Sequence, residues 1–319
     1  MAGCLFNMDK NSKILVTGAN GFLGKSLCKN FIEGGYNIVT FSIKDYNLTK
    51  EEDVKRLFEK TGPFNTVVHL AAVIGGIDFF KANAGRVYYE NVMMNTLMQE
   101  YSRLNGVKKF VGLGSVLEYP ANTPVPFKEE ELWNGFPEKT TSAYGLSKRL
   151  LLSQSQFYRE QYGMNCIHLI LTNLYGPGYN FSQESPHVIP SLIKKFDDAK
   201  KLGLDSLTMW GTGKATREFL YVEDAVDAII LAMEKYDNPL PLNIGSGEEV
   251  SIKKLAEMIA DKVGFNGRLN WDATKPEGKL RSLSDITRLY KELGFKAKTS
   301  LSEGIKRTIN WYSNNYIKK

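Results

Sequence analysis

Lys13-Ile-Leu-Val-Thr17-Gly18-Ala-Asn20-Gly21-Phe22-Leu23-Gly24 is the stretch whose reading decides the fold. Lys13–Thr17 is a short run of apolar and β-branched residues with the character of a strand, and a helical stretch follows Gly24 to about Glu33. A glycine pattern carries meaning when it lies between a strand and a helix in this way. Gly18 suits a tight turn, Gly21 lets a pyrophosphate approach the backbone, and Gly24 lets the helix pack against the strand. The helix N-terminus then offers unsatisfied N–H groups and a partial positive charge to the phosphates. The stretch therefore predicts a dinucleotide site formed by Gly18, Asn20, Gly21, Phe22, Leu23 and Gly24. Its spacing is G-x-x-G-x-x-G, not G-x-G-x-x-G.

Outward from that turn, strands and helices alternate. Asn37–Ile43 reads as the second strand, at whose end a carboxylate would bind ribose hydroxyls and an arginine would favour a 2′-phosphate. This chain offers Phe41, Ser42 and Lys44, with Asp45 one step late. Ser42 and Lys44 lean toward NADP, while a solvated Lys44 leaves NAD open. Thr66–Leu70 is the third strand, and the small residues Ala71 and Ala72 after Leu70 allow a cofactor to lie against the backbone. His69 reads as a packed strand histidine. Arg86–Leu104 has helical apolar spacing, and its Met and aromatic content fits core or subunit contact better than a cofactor pocket. Lys109–Ser115 is the fourth strand, which puts Ser115 at a carboxyl end, where ligands of open α/β sheets bind; a serine there is equally a turn residue. Cys166–Thr172 is the fifth strand, with Cys166 and His168 expected to be buried.

Alternation up to Asn173 predicts an α/β fold: a Rossmann-type doubly wound parallel sheet with a smaller C-terminal substrate-binding lobe. The expected boundaries are 12–175 with about 204–240 for the dinucleotide domain, about 176–203 and 241–319 for the lobe, and 1–11 as an extension. Met8 is a possible natural start. Helices are expected over Ala225–Lys235, Ser251–Val263 and Leu301–Asn315, and a strand and turn over Leu207–Gly213.

At 319 residues, 43% hydrophobic and 24% charged, the chain is long enough for that architecture. The net charge of +6 is mild and spread along the sequence, which does not indicate nucleic-acid binding and suits an anionic small substrate. Most of the lysines read as solvated helix faces. Three unclustered cysteines, Cys4, Cys28 and Cys166, argue against a disulfide framework or a metal site. No apolar run has membrane-spanning length, and Met1–Asn11 lacks a signal-peptide core, so a cytoplasmic setting is expected. No internal repeat or low-complexity tract interrupts the pattern.

Tyr144-Gly-Leu-Ser-Lys148 opens a helix predicted to begin at Ser142. Residues four apart share a helix face, so the phenol and the ammonium point the same way. A cation beside a phenol lowers its pKa, and such a pair can relay a proton to a carbonyl oxygen. Taken alone, the spacing also describes a half-buried aromatic beside a solvated charge.

Gly18-x-x-Gly21-x-x-Gly24, Ser115 and Tyr144-x-x-x-Lys148, together with Ala71–Ile77, Thr172–Pro177, His187–Pro190, Trp210–Gly213, Arg217–Leu220 and Asp272–Pro276, resemble the extended short-chain dehydrogenase/reductase family of nucleotide-sugar enzymes. Within it, the likeness is to the GDP-L-fucose synthase branch, which epimerises GDP-4-keto-6-deoxymannose at C3 and C5 and reduces it at C4. The resemblance implies that Tyr144 donates a proton to the C4 oxygen, Lys148 lowers its pKa and holds the nicotinamide ribose, and Ser115 orients the ketone. It implies that His187 is the acid of epimerisation, with Asn173 and Trp210 in the substrate site. Arg217 and, by a Lys-for-Arg change, Lys195 would hold the substrate diphosphate. The helices Arg86–Leu104 and Ser142–Tyr162 match the pair that builds a four-helix homodimer interface in this family.

Departures from the family pattern qualify the expected function. The branch carries a cysteine base two residues after the serine, where this chain has Leu117, which cannot take a proton. An arginine of the glycine loop becomes Asn20, the arginine at the second strand becomes Phe41, and a lysine after the position of Arg281 becomes Ser282. Epimerisation needs a base on one face and an acid on the other, whereas reduction needs only the cofactor, Ser115, Tyr144 and Lys148. The expectation is an NAD(P)H-dependent C4 reductase of a GDP-linked 4-keto sugar with 3,5-epimerisation weakened or lost. A full synthase, a single-position epimerase using His187, and a catalytically silent cofactor-binding regulator stay as alternatives, the last opposed by the intact Ser115, Tyr144 and Lys148.

Overall fold

The structure, a computed structural model, describes residues 11–181, 187–275 and 278–317. The expected extension up to residue 10, Cys4, part of the loop after Tyr179 and Pro276 lie outside the described residues.

The first half alternates strand and helix. The elements are β1 (Ile14–Thr17), α1 (Phe22–Glu33), β2 (Ile38–Val39), α2 (Glu51–Thr61), β3 (Thr66–His69), α3 (Ile77–Leu104), β4 (Lys109–Ser115), α4 (Ser142–Tyr162), β5 (Asn165–Leu171) and β6 (Asn173–Tyr175). The second half comprises α5 (Val188–Lys201), β7 (Ser206–Trp210), β8 (Thr216–Tyr221), α6 (Val222–Lys235), β9 (Leu242–Ile244), β10 (Glu249–Ser251), α7 (Ile252–Val263), β11 (Arg268–Asp272), α8 (Thr287–Leu293) and α9 (Leu301–Tyr312).

Six strands form one parallel sheet in the order β2-β1-β3-β4-β5-β9. Helices cover both of its faces, so its central strands are apolar along their length: Ile14, Leu15, Val16, Val67, Val68, Phe110 and Val111 are all fully buried. The strand order reverses between β1 and β3, where doubly wound sheets bind their ligands. A separate core forms the lobe, where Ile193 and Phe196 of α5 pack with Leu255 and Ile259 of α7 and Ile305 of α9.

Several elements depart from the predicted boundaries. The second strand was expected to reach Ile43 but pairs only through Val39. Beyond it, the Asp45 carboxylate accepts hydrogen bonds from the Ser42 N–H and hydroxyl at 2.9 and 2.8 Å, which turns the chain away from the sheet. Helix α3 starts at Ile77, nine residues before the expected Arg86, and bends at Asn83, whose φ of −127° is non-helical. The lobe boundary differs as well: Leu242–Ile244 completes the large sheet beside β5, while Ser206–Trp210 pairs with Arg268–Asp272 in a two-stranded sheet of the lobe. Helix α9 gives way after Tyr312 to a wider turn over Ser313–Ile317.

Candidate active site

The glycine turn is built as its spacing requires. Gly18 has φ +68°, and a Cβ there would lie 2.8 Å from the Ala71 nitrogen and 2.9 Å from the Leu70 carbonyl carbon. A Cβ on Gly24 would lie 2.2 Å from the Gly18 carbonyl oxygen, so α1 packs directly on the turn. Gly21 caps α1 without a side-chain hydrogen bond, and the first turn holds no acidic residue, which leaves the helix's partial positive charge to an anion. A dinucleotide pyrophosphate fits this cradle between Gly18–Gly24 and Leu70–Ala72. Ser42 and Lys44 lie in the turn after β2, where the Lys44 N–H donates to the Ser42 hydroxyl at 3.3 Å and the Lys44 side chain is exposed. Phe41 packs edge-on against Tyr46, with ring centroids 5.6 Å apart.

A buried polar network ties this cradle to α3 and α4. The Ala71 N–H donates to the Thr17 hydroxyl at 3.1 Å, and that hydroxyl lies 2.9 Å from His69 Nδ1. His69 Nε2 is 3.1 Å from Asn95 Oδ1, and Asn95 Nδ2 donates to the Ser147 carbonyl at 3.0 Å. Because Asn95 spends its amide protons on α4, its oxygen takes the His69 Nε2–H, and Nδ1 accepts from Thr17. Burial, helped by the nearby Lys148 charge, holds His69 down to about 3, consistent with a neutral imidazole. Asn91 clamps the loop after β3, donating to the Val73 carbonyl and accepting from its N–H at 2.9 and 3.0 Å. Asn91, Asn95 and Gln99 recur every four residues on α3, a polar stripe that the apolar reading of this helix missed.

Tyr144 and Lys148 share one face of α4, with 4% and 1% of their surfaces exposed. The Lys148 ammonium lies 5.6 Å from the centre of the Tyr144 ring. Burial lowers Lys148 to about 8, opposed by the Glu118 charge. The Tyr144 phenol is pushed up from its ordinary value, first by burial and then by Glu118. This corrects the expected lowering: in the protein alone, loss of hydration and a neighbouring carboxylate both favour the neutral phenol. Ser115 stands at the end of β4 and caps a short turn, its hydroxyl accepting the Leu117 N–H at 3.3 Å. Glu118, which the sequence reading passed over, accepts from the Ser115 N–H at 2.6 Å and lies 3.0 Å from His168 Nε2.

A cavity of about 160 Å³ adjoins these groups, its wall including Gly76, Phe80, Leu117, Asn173 and His187. Tyr144 packs with two of those residues, Phe80 and Leu117, in one cluster. His187 caps α5 with its ring 5.4 Å from that of Tyr179, and burial holds its imidazole below the ordinary value. Asn173 donates to the Glu218 carbonyl at 2.9 Å. The remaining expected substrate residues stand farther out on the lobe. Lys195 donates to the Thr208 carbonyl at 2.7 Å, Arg217 to the Thr216 carbonyl at 2.7 Å, and Trp210 is 69% exposed. Lys279, unremarked in the sequence, lies close enough to Arg217 to feel its charge. Among the described residues, no group of three or more His, Cys, Asp or Glu could hold a metal ion, and no helix is long and apolar enough to cross a membrane.

Known proteins resemble this chain over most of its length. The NAD dependent epimerase/dehydratase family matches residues 14–245. GDP-L-fucose synthase 1 of Arabidopsis thaliana is 37% identical over 308 residues, which is 96% of this chain and 95% of that protein. A solved GDP-6-OMe-4-keto-L-xylo-heptose reductase from C. jejuni superposes with a TM-score of 0.89 at 31% identity, covering 97% of this chain and 99% of the other. A GDP-mannoheptose C4 reductase from Campylobacter jejuni, solved with NADP bound, gives 0.88 at 33% identity over 96% and 100% of the two chains. Likeness in sequence and in structure thus runs through both the glycine cradle and the lobe: the chain belongs to the NAD-dependent epimerase/dehydratase family.

Proposed function

We propose that this protein is an NADPH-dependent reductase acting at C4 of a GDP-linked 4-keto-6-deoxy sugar, and that it leaves C3 and C5 uninverted. The carrying observation is that Leu117 and His187 both line one cavity. His187 can pass a proton, but Leu117 has no group that can remove one, so the two-sided exchange that inverts a carbon lacks its base. Two C4 or keto-sugar reductases among the structural relatives support the same reading.

A dinucleotide held at the Gly18–Gly24 cradle supplies the hydride. The chain's own residues do the rest. Ser115 donates its hydroxyl to the ketone oxygen and orients it, and Tyr144 delivers a proton to the oxygen as charge develops there. A phenol held protonated suits donation, the direction that reduction requires. Lys148 favours the phenolate once the proton has left. Arg217 and Lys195, with Asn173 and Trp210 beside them in the site, meet the substrate's diphosphate and nucleotide. A guanidinium fork matches a diphosphate better than an ammonium does, so Arg217 carries more of that binding.

NADP is favoured over NAD because no acidic side chain ends β2, Asp45 being drawn to Ser42, and because a relative binds NADP. Side-by-side, parallel packing of α3 and α4, with Asn95 bonded to Ser147 and Gln99 to Leu151 and with Tyr89 and Phe157 61% and 64% exposed, fits a homodimer through a four-helix bundle. Among the described residues, Cys28 and Cys166 are free thiols, which agrees with a cytoplasmic setting.

The test is NADPH oxidation by wild type and Tyr144→Phe with GDP-4-keto-6-deoxymannose. Turnover by wild type alone is expected. Equal rates in the two proteins, or none in wild type with any GDP-linked 4-keto sugar, would overturn the reading.

A further inference from the structure

Beneath Ser115, the fold buries a carboxylate and an imidazole that the reduction scheme does not use. Glu118 is fully buried and His168 is 2% exposed, with Glu118 Oε2 3.0 Å from His168 Nε2. Burying such a pair is costly compared with two apolar residues of similar size. The surrounding backbone is shaped to admit it. A Cβ on Gly114 would stand 2.3 Å from both Glu118 Oε1 and His168 Nε2, and a Cβ on Gly145 would stand 2.3 Å from the Leu117 carbonyl oxygen. Gly145 therefore lets the Glu118 turn press against α4 between Tyr144 and Lys148.

We propose that Glu118, anchored by His168, is a positioning residue for the reduction: it fixes the Ser115 backbone and sets a negative charge against the Tyr144–Lys148 face of α4. This rests on the roles given to Ser115, Tyr144 and Lys148 above. The anchoring is complete on the Glu118 side. Its Oε1 takes the Ser115 N–H at 2.6 Å, its Oε2 faces His168, and its backbone carbonyl takes Arg149 Nε at 2.7 Å. Among the described residues, His168 Nδ1 has no hydrogen-bond partner, so the imidazole offers the carboxylate one donor, Nε2–H.

The charged and titratable groups facing Glu118 are His168 from β5, Tyr144, Lys148 and Arg149 from α4, and Tyr119 from its own turn. The carboxylate opposes ionisation of Tyr144 and favours the charged form of Lys148. Both effects act in one direction: the phenol keeps its proton until the ketone oxygen takes it, and the ammonium stays charged to receive the phenolate.

Glu118→Gln keeps the shape and an acceptor oxygen while removing the charge. Tyrosine labelled at Cζ, with Tyr144 assigned by its loss in Tyr144→Phe, is titrated by NMR in the substrate-free protein. Glu118→Gln should move the Tyr144 ionisation down by about one pH unit, a tenfold change in its proton equilibrium. The alkaline limb of kcat should move with it, while KM for NADPH stays within about twofold, since the cofactor cradle is untouched. His168→Asn keeps the charge and loosens its anchor, so kcat falls while the alkaline limb stays in place. A Tyr144 titration and pH profile identical in Glu118→Gln and wild type overturn the proposal. So does a rate loss that only follows the melting temperature. The titration needs no substrate, so its failure bears on Glu118 alone, whereas a wild-type rate in Tyr144→Phe bears on the reductase reading.

Discussion

The two groups of candidate site residues, one on the large sheet and one on the lobe, are prepared to different degrees. Ser115, Tyr144 and Lys148 belong to β4 and α4, where both the tyrosine and the lysine are nearly excluded from water and α4 is tied through Asn95 to β3. His187, Lys195, Trp210 and Arg217 stand on the lobe, joined to it largely through backbone carbonyls, with Trp210 mostly in solvent. The contrast matches two tasks. Hydride must reach the carbon and a proton the oxygen of one carbonyl with fixed geometry, which favours groups held by a rigid sheet. A large nucleotide sugar must enter and leave, which favours a looser surface.

Removing the phenol strikes the prepared side hardest. Tyr144→Phe should lower kcat by about a thousandfold, within the range of a lost general acid, with little change in KM, as steady-state rates at saturating NADPH will show. On the looser side, Arg217→Ala should instead raise KM for the GDP-sugar by about 10- to 100-fold with a smaller loss in kcat, the pattern of a lost charge-assisted contact. If Arg217→Ala costs kcat as much as Tyr144→Phe does, the division of labour is wrong. Gly24→Ala forces a Cβ against the Gly18 carbonyl, so it should weaken NADPH binding, read by fluorescence titration, and cost about 1–3 kcal/mol in urea unfolding.

A smaller effect probes the network behind the prepared side. His69 takes a proton near 6.5 when unfolded and only at about 3 when folded. The folded state therefore binds fewer protons than the unfolded state between those values, and stability falls as pH drops through that window. Wild type should lose about 1 kcal/mol per pH unit below pH 6 from this group, and His69→Gln should flatten that slope in urea titrations at pH 4.5–7.

Which parts of this arrangement were legible in the sequence follows from the range of the forces involved. The glycine turn could be read because steric demands at Gly18 and Gly24 are local, and the shared face of Tyr144 and Lys148 because it follows from the helical period. The direction of the Tyr144 shift could not, since burial and the Glu118 charge depend on packing between turn and helix. Glu118 and His168 meet across 50 positions, and His69 meets Thr17 across 52; neither pairing leaves a spacing to read. Asn91, Asn95 and Gln99 did leave one, a polar row four residues apart in an apolar helix. The second strand was overextended because Thr40–Ile43 has strand composition, while Asp45 captures Ser42 and ends the pairing. The pairing of β7 with β11 likewise joins segments about 60 residues apart, beyond any local pattern.

The central claim is that this chain reduces C4 without exchanging protons at its neighbours. Its most direct test is turnover of GDP-4-keto-6-deoxymannose with NADPH in D2O, followed by NMR of the product sugar. With Leu117 in place of a base, C3 and C5 should keep their hydrogens and their configuration. Solvent deuterium at both carbons of the product would contradict the account.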